Sequence, residues 1–174
     1  MGYLELIIGP MFSGKTSRLI QIKQKYTVLN KKILTLKPII DNRYSQQSVI
    51  VTHDQNRSEC VSRFKLSEVY DIDTYDVIII EEGQFFSDLF EKVVEWSKTK
   101  RVYVAGLNGD ANKNLFGDMH KLISHADNIV FLTALCKICN DGTPAVFTKK
   151  MIPDNKIVDV GGAEMYQAVC RTHY

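Results

Sequence analysis

The chain has 174 residues, of which 45% are hydrophobic, and its formal net charge is +2. That length suits one medium domain, or one domain with a small annex, and the near-neutral balance gives no argument for nucleic acid as a direct partner. No run of 18 apolar residues predicts a membrane span, and with no basic and apolar leader the four cysteines point to reduced thiols and a cytoplasmic setting.

Tyr3 to Ile8 reads as a buried strand. It runs into Gly9-Pro10-Met11-Phe12-Ser13-Gly14-Lys15-Thr16, which fits G-x-x-x-x-G-K-[ST]. In such a loop the backbone N–H groups point at phosphate oxygens, glycines let the backbone approach, the lysine reaches the terminal phosphates and the Thr16 hydroxyl is a Mg²⁺ ligand. From Ser17 to Leu29 the apolar Leu19, Ile22, Tyr26 and Leu29 recur at helical spacing. Ile33 to Lys37 is a second strand, so strand, helix and strand suggest a parallel crossover. Residues 38–63 are polar and read as a long irregular excursion beside the phosphate loop. Lys65 to Tyr70 suggests a short helix.

Asp76 to Ile80 is apolar enough for a strand covered on both faces, and it ends in Glu81-Glu82. Ser87 is the expected cap of a helix whose inward stripe is Leu89, Val93 and Trp96. Arg101 to Leu107 is a fourth strand, Asn108 to Phe116 a Gly- and Asn-rich loop, and Met119, Leu122, Ile123 and Ala126 mark a short amphipathic helix. Ile129 to Leu132 is a fifth strand. Past this point the helical pattern stops, and Ala145 to Lys149 and Lys156 to Val160 are β-like. The expected fold is α/β, a parallel sheet with helices on both faces over residues 1–134. A small zinc ribbon-like β domain is expected over 135–174.

Three constellations carry chemistry. Ligands of parallel α/β sheets bind outside the carboxyl ends of the strands, so Lys15 and Thr16 should converge with Glu81 and Glu82. The first acid is placed to hold Mg²⁺ and the second to take a proton from whatever attacks the γ-phosphate. Cys136-x-x-Cys139 and Cys170-x-x-His173 together offer three thiolates and one imidazole, a closed tetrahedral Zn²⁺ site of the structural kind. A softer group is Phe85-Phe86, Thr148 and the Gly-Gly segment of residues 161–166. Its aromatics could stack on a planar base, and its backbone groups could meet the edge of that base.

Several stretches together resemble the thymidine kinase family, in its zinc-containing branch from cells, bacteria and large DNA viruses. They are IGPMFSGKT (residues 8–16), DNRY (41–44), THD (52–54), EEGQFF (81–86), LTALCKIC (132–139) and GGAEMYQAVC (161–170). The resemblance implies ATP-dependent phosphorylation of the 5′-hydroxyl of thymidine. Glu82 matches the family's catalytic base. Gly9 to Thr16, with Asp41, Asn42, Arg43, Glu81, Gly83 and Gln84, match its ATP and phosphate contacts. Met11, Asp41, Phe85, Leu107, Phe116, Thr148, Ile157, Val158, Asp159, Val160, Gly161 and Tyr166 match its nucleoside contacts, the last six belonging to a lasso loop. Cys136, Cys139, Cys170 and His173 match its zinc ligands, and Thr16 and Glu81 its magnesium site. The family's homotetramer and its inhibition by dTTP are implied too.

Three positions depart from the family pattern: Glu81 where Asp is usual, Ala111 where many members have a pocket Phe, and His173 where some have a fourth Cys. The Ala111 departure favours a broader deoxynucleoside kinase as one rival reading. A nucleic-acid-associated NTPase is a second, disfavoured because Lys149 and Lys150 are offset by Asp141, Asp154, Asp159 and Glu164.

Overall fold

A computed structural model describes residues 1–39, 49–51, 57–151 and 165–174. Asp41, Asn42, Arg43, Thr52 to Asp54, the run Lys156 to Val160 and the lasso residues Ile157 to Gly161 lie outside the described residues. In chain order the strands are β1 (Tyr3–Gly9), β2 (Ile33–Pro38), β3 (Val49–Val51), β4 (Arg57–Glu59), β5 (Val61–Arg63), β6 (Val77–Ile80), β7 (Arg101–Leu107), β8 (Asn128–Phe131), β9 (Ala134–Leu135), β10 (Pro144–Ala145), β11 (Phe147–Lys150) and β12 (Tyr166–Val169). The α-helices are α1 (Lys15–Val28) and α2 (Leu89–Ser97).

Six strands form one sheet in the order β5-β2-β6-β7-β1-β8, and every pairing in it is parallel. Alternation along the strands sorts the side chains onto two faces. On one face Leu4, Leu6, Leu34, Leu36, Ile78, Ile80, Val102 and Val104 pack against Leu89, Val93 and Trp96 of α2. On the other, Ile7, Val77, Ile79, Tyr103 and Ala105 receive Leu19 and Ile22 of α1. The helices therefore cover both faces, as an all-parallel sheet requires.

The fold departs from the sequence expectation at four elements. Three short strands lie in the excursion of residues 38–63: β3 and β4 pair antiparallel, and β5 joins the sheet edge beside β2. Strands of three residues are too short to show a period of two. The segment Met119–His125 is a 3-10 helix, so Met119 and Leu122 share the buried face while Ile123 turns outward at 49% exposure. The expected helix at Lys65 to Tyr70 shrinks to one 3-10 turn, Leu66–Glu68. The residue preceding α2 is Asp88, not Ser87, and its carboxylate accepts from the backbone N–H groups of Leu66 (3.0 Å) and Ser67 (2.9 Å).

Beyond β8, β9 pairs with β10 and β11 with β12, both antiparallel. A third cluster lies here: Ala134, Cys136, Ala145, Ala168, Val169 and Cys170, with Phe12, Phe147 and Tyr174 packed against it. Among the described residues no helix is long and apolar enough to cross a membrane.

Candidate active site and metal centre

The phosphate loop leaves the carboxyl end of β1, where Gly9 pairs with Leu107 of β7. A Cβ on Gly9 would stand 2.3 Å from the carbonyl oxygen of Leu132 and 2.8 Å from Ser13 Oγ, so this position has no room for a side chain. Gly14 is open in space but sits at φ 84°, a backbone region that favours glycine. Ser13 Oγ donates to the Pro10 carbonyl at 2.8 Å. Lys15 is buried, and its ammonium donates to the carbonyls of Pro10 (2.7 Å) and Gly9 (3.2 Å). Burial lowers the Lys15 pKa below the ordinary lysine value, while the charges of Glu82 and Glu81 oppose that shift.

Glu81 and Glu82 follow β6, one strand removed from β1. The gap is closed by the Thr16 hydroxyl, which donates to Glu81 Oε1 at 2.5 Å. Burial pushes Glu81 up to about 7, with the Thr16 hydrogen bond pulling the other way and the charge of Glu82 adding to the rise. Two hard oxygen donors brought together in this way fit Mg²⁺. Glu82 adopts φ 51° and ψ 46°, a left-handed conformation in a residue that has a Cβ. Its Oε2 accepts from Gln84 Nε2, and Gln84 Oε1 accepts from the Leu107 N–H at 3.1 Å.

Leu107, whose N–H meets Gln84, also lines a cavity of about 100 Å³ together with Ile8, Asn108, Leu115, Phe116, Met119, His120 and Ile123. Leu107 and Phe116 are predicted nucleoside contacts. Phe85, a third, stands edge-on to Phe116 with ring centroids 5.2 Å apart. Sequence reasoning missed the other lining residues, because an apolar side chain on a pocket wall carries the same signal as one in a core.

Thr148 and Tyr166, on β11 and β12, are both buried. Thr148 Oγ1 accepts from the backbone N–H of Met11 at 3.0 Å, tying the C-terminal segment to the phosphate loop. Asn108 Nδ2 donates to the Val146 carbonyl at 3.2 Å, and the Tyr174 hydroxyl donates to the Ala111 carbonyl at 2.6 Å. The departure at Ala111 thus lies under the last residue of the chain.

The ligating atoms of Cys136, Cys139, Cys170 and His173 lie within 4.8 Å of one another. His173 Nδ1 is 3.3 Å from Cys139 Sγ, 3.4 Å from Cys170 Sγ and 3.7 Å from Cys136 Sγ, and the Cys139 and Cys170 sulfurs are 3.7 Å apart. A tetrahedron with Zn–S near 2.3 Å and Zn–N near 2.0 Å has edges of about 3.5–3.8 Å. The four residues fit structural zinc. Cys60, the remaining cysteine, is buried and lies well away in sequence from this group.

A family model described as thymidine kinase matches residues 2–174. The chain belongs to the thymidine kinase family. It is 39% identical to the thymidine kinase of variola virus (isolate Human/India/Ind3/1967), an alignment covering 99% of this chain and 97% of that protein. It is 38% identical to the thymidine kinase of fowlpox virus (strain NVSL), covering 98% of this chain and 95% of that one. With the thymidine kinase of Amsacta moorei entomopoxvirus the identity is 38%, over 98% of this chain and 97% of that protein. The thymidine kinase family is one of phosphotransferases, so the chain is an enzyme, and its relatives place it with the large-DNA-virus type.

Proposed function

We propose that the chain transfers the γ-phosphate of ATP to the 5′-hydroxyl of thymidine, giving dTMP and ADP. The observation that carries this reading is the Thr16–Glu81 hydrogen bond. It draws the acid pair against the phosphate loop, although the two motifs are 65 residues apart in sequence.

Gly9 to Thr16 cradle the triphosphate, with Lys15 on its terminal phosphates. Thr16 and Glu81 would hold Mg²⁺, which when bound offsets charge on the phosphates. Asp41, Asn42 and Arg43 complete the phosphate and sugar contacts. Glu82 accepts the 5′-hydroxyl proton as its oxygen attacks the γ-phosphorus in line, and ADP leaves. Leu107, Phe116 and Phe85 take the face of the thymine ring. Met11, Thr148, Tyr166 and the lasso residues Ile157 to Gly161 hold its edge. Cys136, Cys139, Cys170 and His173 would hold Zn²⁺, which supplies folding energy to the second of two domains, 135–174, after the first, 1–134. dTTP inhibits by occupying the thymidine site. The chain assembles as a homotetramer in the cytoplasm, and the exposed Ile129 and Phe131 on edge strand β8 offer an apolar surface for assembly.

The test is direct. The zinc-loaded protein is incubated with γ-labelled ATP, Mg²⁺ and a panel of nucleosides in competition. Label on thymidine ahead of the others supports the reading. Equal labelling of deoxyuridine or other deoxynucleosides shifts it to a broader kinase. Release of free phosphate that DNA stimulates, with no labelled nucleoside, overturns it.

A further inference from the structure

Gln84 stands two residues past Glu82, and it is 4% exposed. A buried primary amide has to place both its donor and its acceptor. A backbone N–H can only donate, so the amide oxygen must face Leu107, whose N–H reaches Gln84 Oε1 at 3.1 Å. The NH₂ end is thereby turned to Glu82, whose carboxylate oxygen accepts. One amide orientation alone satisfies both neighbours.

The surroundings leave Gln84, side chain and backbone, little room. A Cβ on Gly106 would stand 2.7 Å from Gln84 Oε1, and a Cβ on Gly117 would stand 2.2 Å from the Gln84 carbonyl oxygen. Two glycines, one on β7 and one just past Phe116, are thus packed against a single glutamine. Glu82 itself is held in a left-handed backbone conformation that an L-residue rarely adopts unless its neighbours enforce it. Leu107 is also a wall of the cavity described above. The glutamine therefore spans from the pocket wall to the carboxylate.

We propose that Gln84 is a positioning residue for phosphoryl transfer: it fixes the Glu82 carboxylate at a set distance from the end of β7, where the nucleoside rests. The inference rests on the reading of Glu82 as the base. In this role Gln84 acts through Glu82, its amide being engaged by that carboxylate and by the Leu107 N–H. Its contribution is to hold the acceptor oxygen where the hydroxyl proton is delivered, and a small misplacement there slows the chemistry without weakening binding.

The experiment is a four-variant series in the zinc-loaded enzyme: Glu82→Gln, Gln84→Met, Gln84→Glu, and Gln84→Met combined with Glu82→Gln. Steady-state and single-turnover rates are measured with KM for both substrates and with Tm. Gln84→Met keeps the shape and loses both hydrogen bonds. Gln84→Glu keeps an acceptor for the Leu107 N–H and puts a carboxylate against Glu82. Each single change at Gln84 should lower kcat tenfold or more, with both KM values within about twofold of the parent. In the Glu82→Gln background, Gln84→Met should cause no further loss.

A structural role alone would move Tm and slow both backgrounds by the same factor, and that result overturns the proposal. So does a Gln84 variant, whichever of the two, that turns over within twofold of the parent. If Gln84→Met does not fold, Gln84→Glu decides, because it keeps the buried acceptor. Near-normal turnover in Glu82→Gln overturns the base assignment and the positioning role with it. Loss there with normal turnover in both Gln84 variants overturns the positioning role only.

Discussion

Gly9 and Gly14 share a loop but are glycines for different reasons, and the two predict different failures. At Gly9 the obstacle is the Leu132 carbonyl oxygen, part of the backbone at the end of β8, which has no rotamer to yield. Gly9→Ala should cost about 1–3 kcal/mol of stability as an overpacked site and weaken ATP binding by shifting the loop. At Gly14 there is space and the obstacle is φ, so Gly14→Ala should cost about 1–2 kcal/mol with a smaller effect on the loop's neighbours. Thermal melts with and without ATP separate the two. A Gly9→Ala protein that melts and binds as the parent does would contradict the close packing. Both glycines were legible in the sequence because the motif is local: the residues that make the loop adjoin one another in the chain. Gln84 was legible only as a neighbour of the acids, grouped with the phosphate contacts. Its partner Leu107 lies 23 residues on, and only the pairing of β6 with β7 brings them together.

At the scale of elements, the five longer sheet strands and both α-helices were readable, because burial on two faces makes apolar runs and burial on one makes a 3.6-residue stripe. What was not readable was how short elements close on one another. Asp88 illustrates it: the residue before α2, where the sequence suggested Ser87, it ties the 3-10 turn Leu66–Glu68 to the start of that helix. Burial would raise its pKa, but the backbone N–H groups of Ser67 and Leu66 outweigh that and hold the carboxyl below the ordinary aspartate value. Its stabilising effect is therefore present above the unfolded-state pKa, near 3.9, and is lost as pH falls through the lower folded-state value. Asp88→Ala should cost about 1–3 kcal/mol at neutral pH, since it leaves two backbone donors without their acceptor. The difference between parent and variant should shrink below about pH 4. Urea midpoints at pH 7 and pH 3.5 check this, and a difference that grows on acidification would contradict it.

Across the whole molecule, the C-terminal segment and the phosphate loop are joined. The Met11 N–H meets Thr148, Phe12 packs against the cluster that contains Cys136 and Cys170, and Tyr174 reaches the Ala111 carbonyl. The cysteine and histidine spacing was readable because paired ligands two residues apart need no fold to be recognised. Its link to the phosphate loop was not, since it runs through a contact 137 residues apart in sequence. Removing metal should therefore weaken ATP binding as well as thymidine binding. Cys139→Ser, or the parent treated with a chelator, should lose affinity for both substrates, by about tenfold or more for thymidine. Calorimetric titration of each substrate reads the effect, and a metal-free protein with full affinity for both would contradict the coupling.

In the proposed reaction Glu82 takes the proton from the nucleoside hydroxyl, and the single-turnover rate of Glu82→Gln with bound ATP and thymidine reads that step alone. The expected result is a rate lower by about 10²–10⁴ with the ATP dissociation constant unchanged. A rate close to that of the parent, at the same nucleotide affinity, would contradict it.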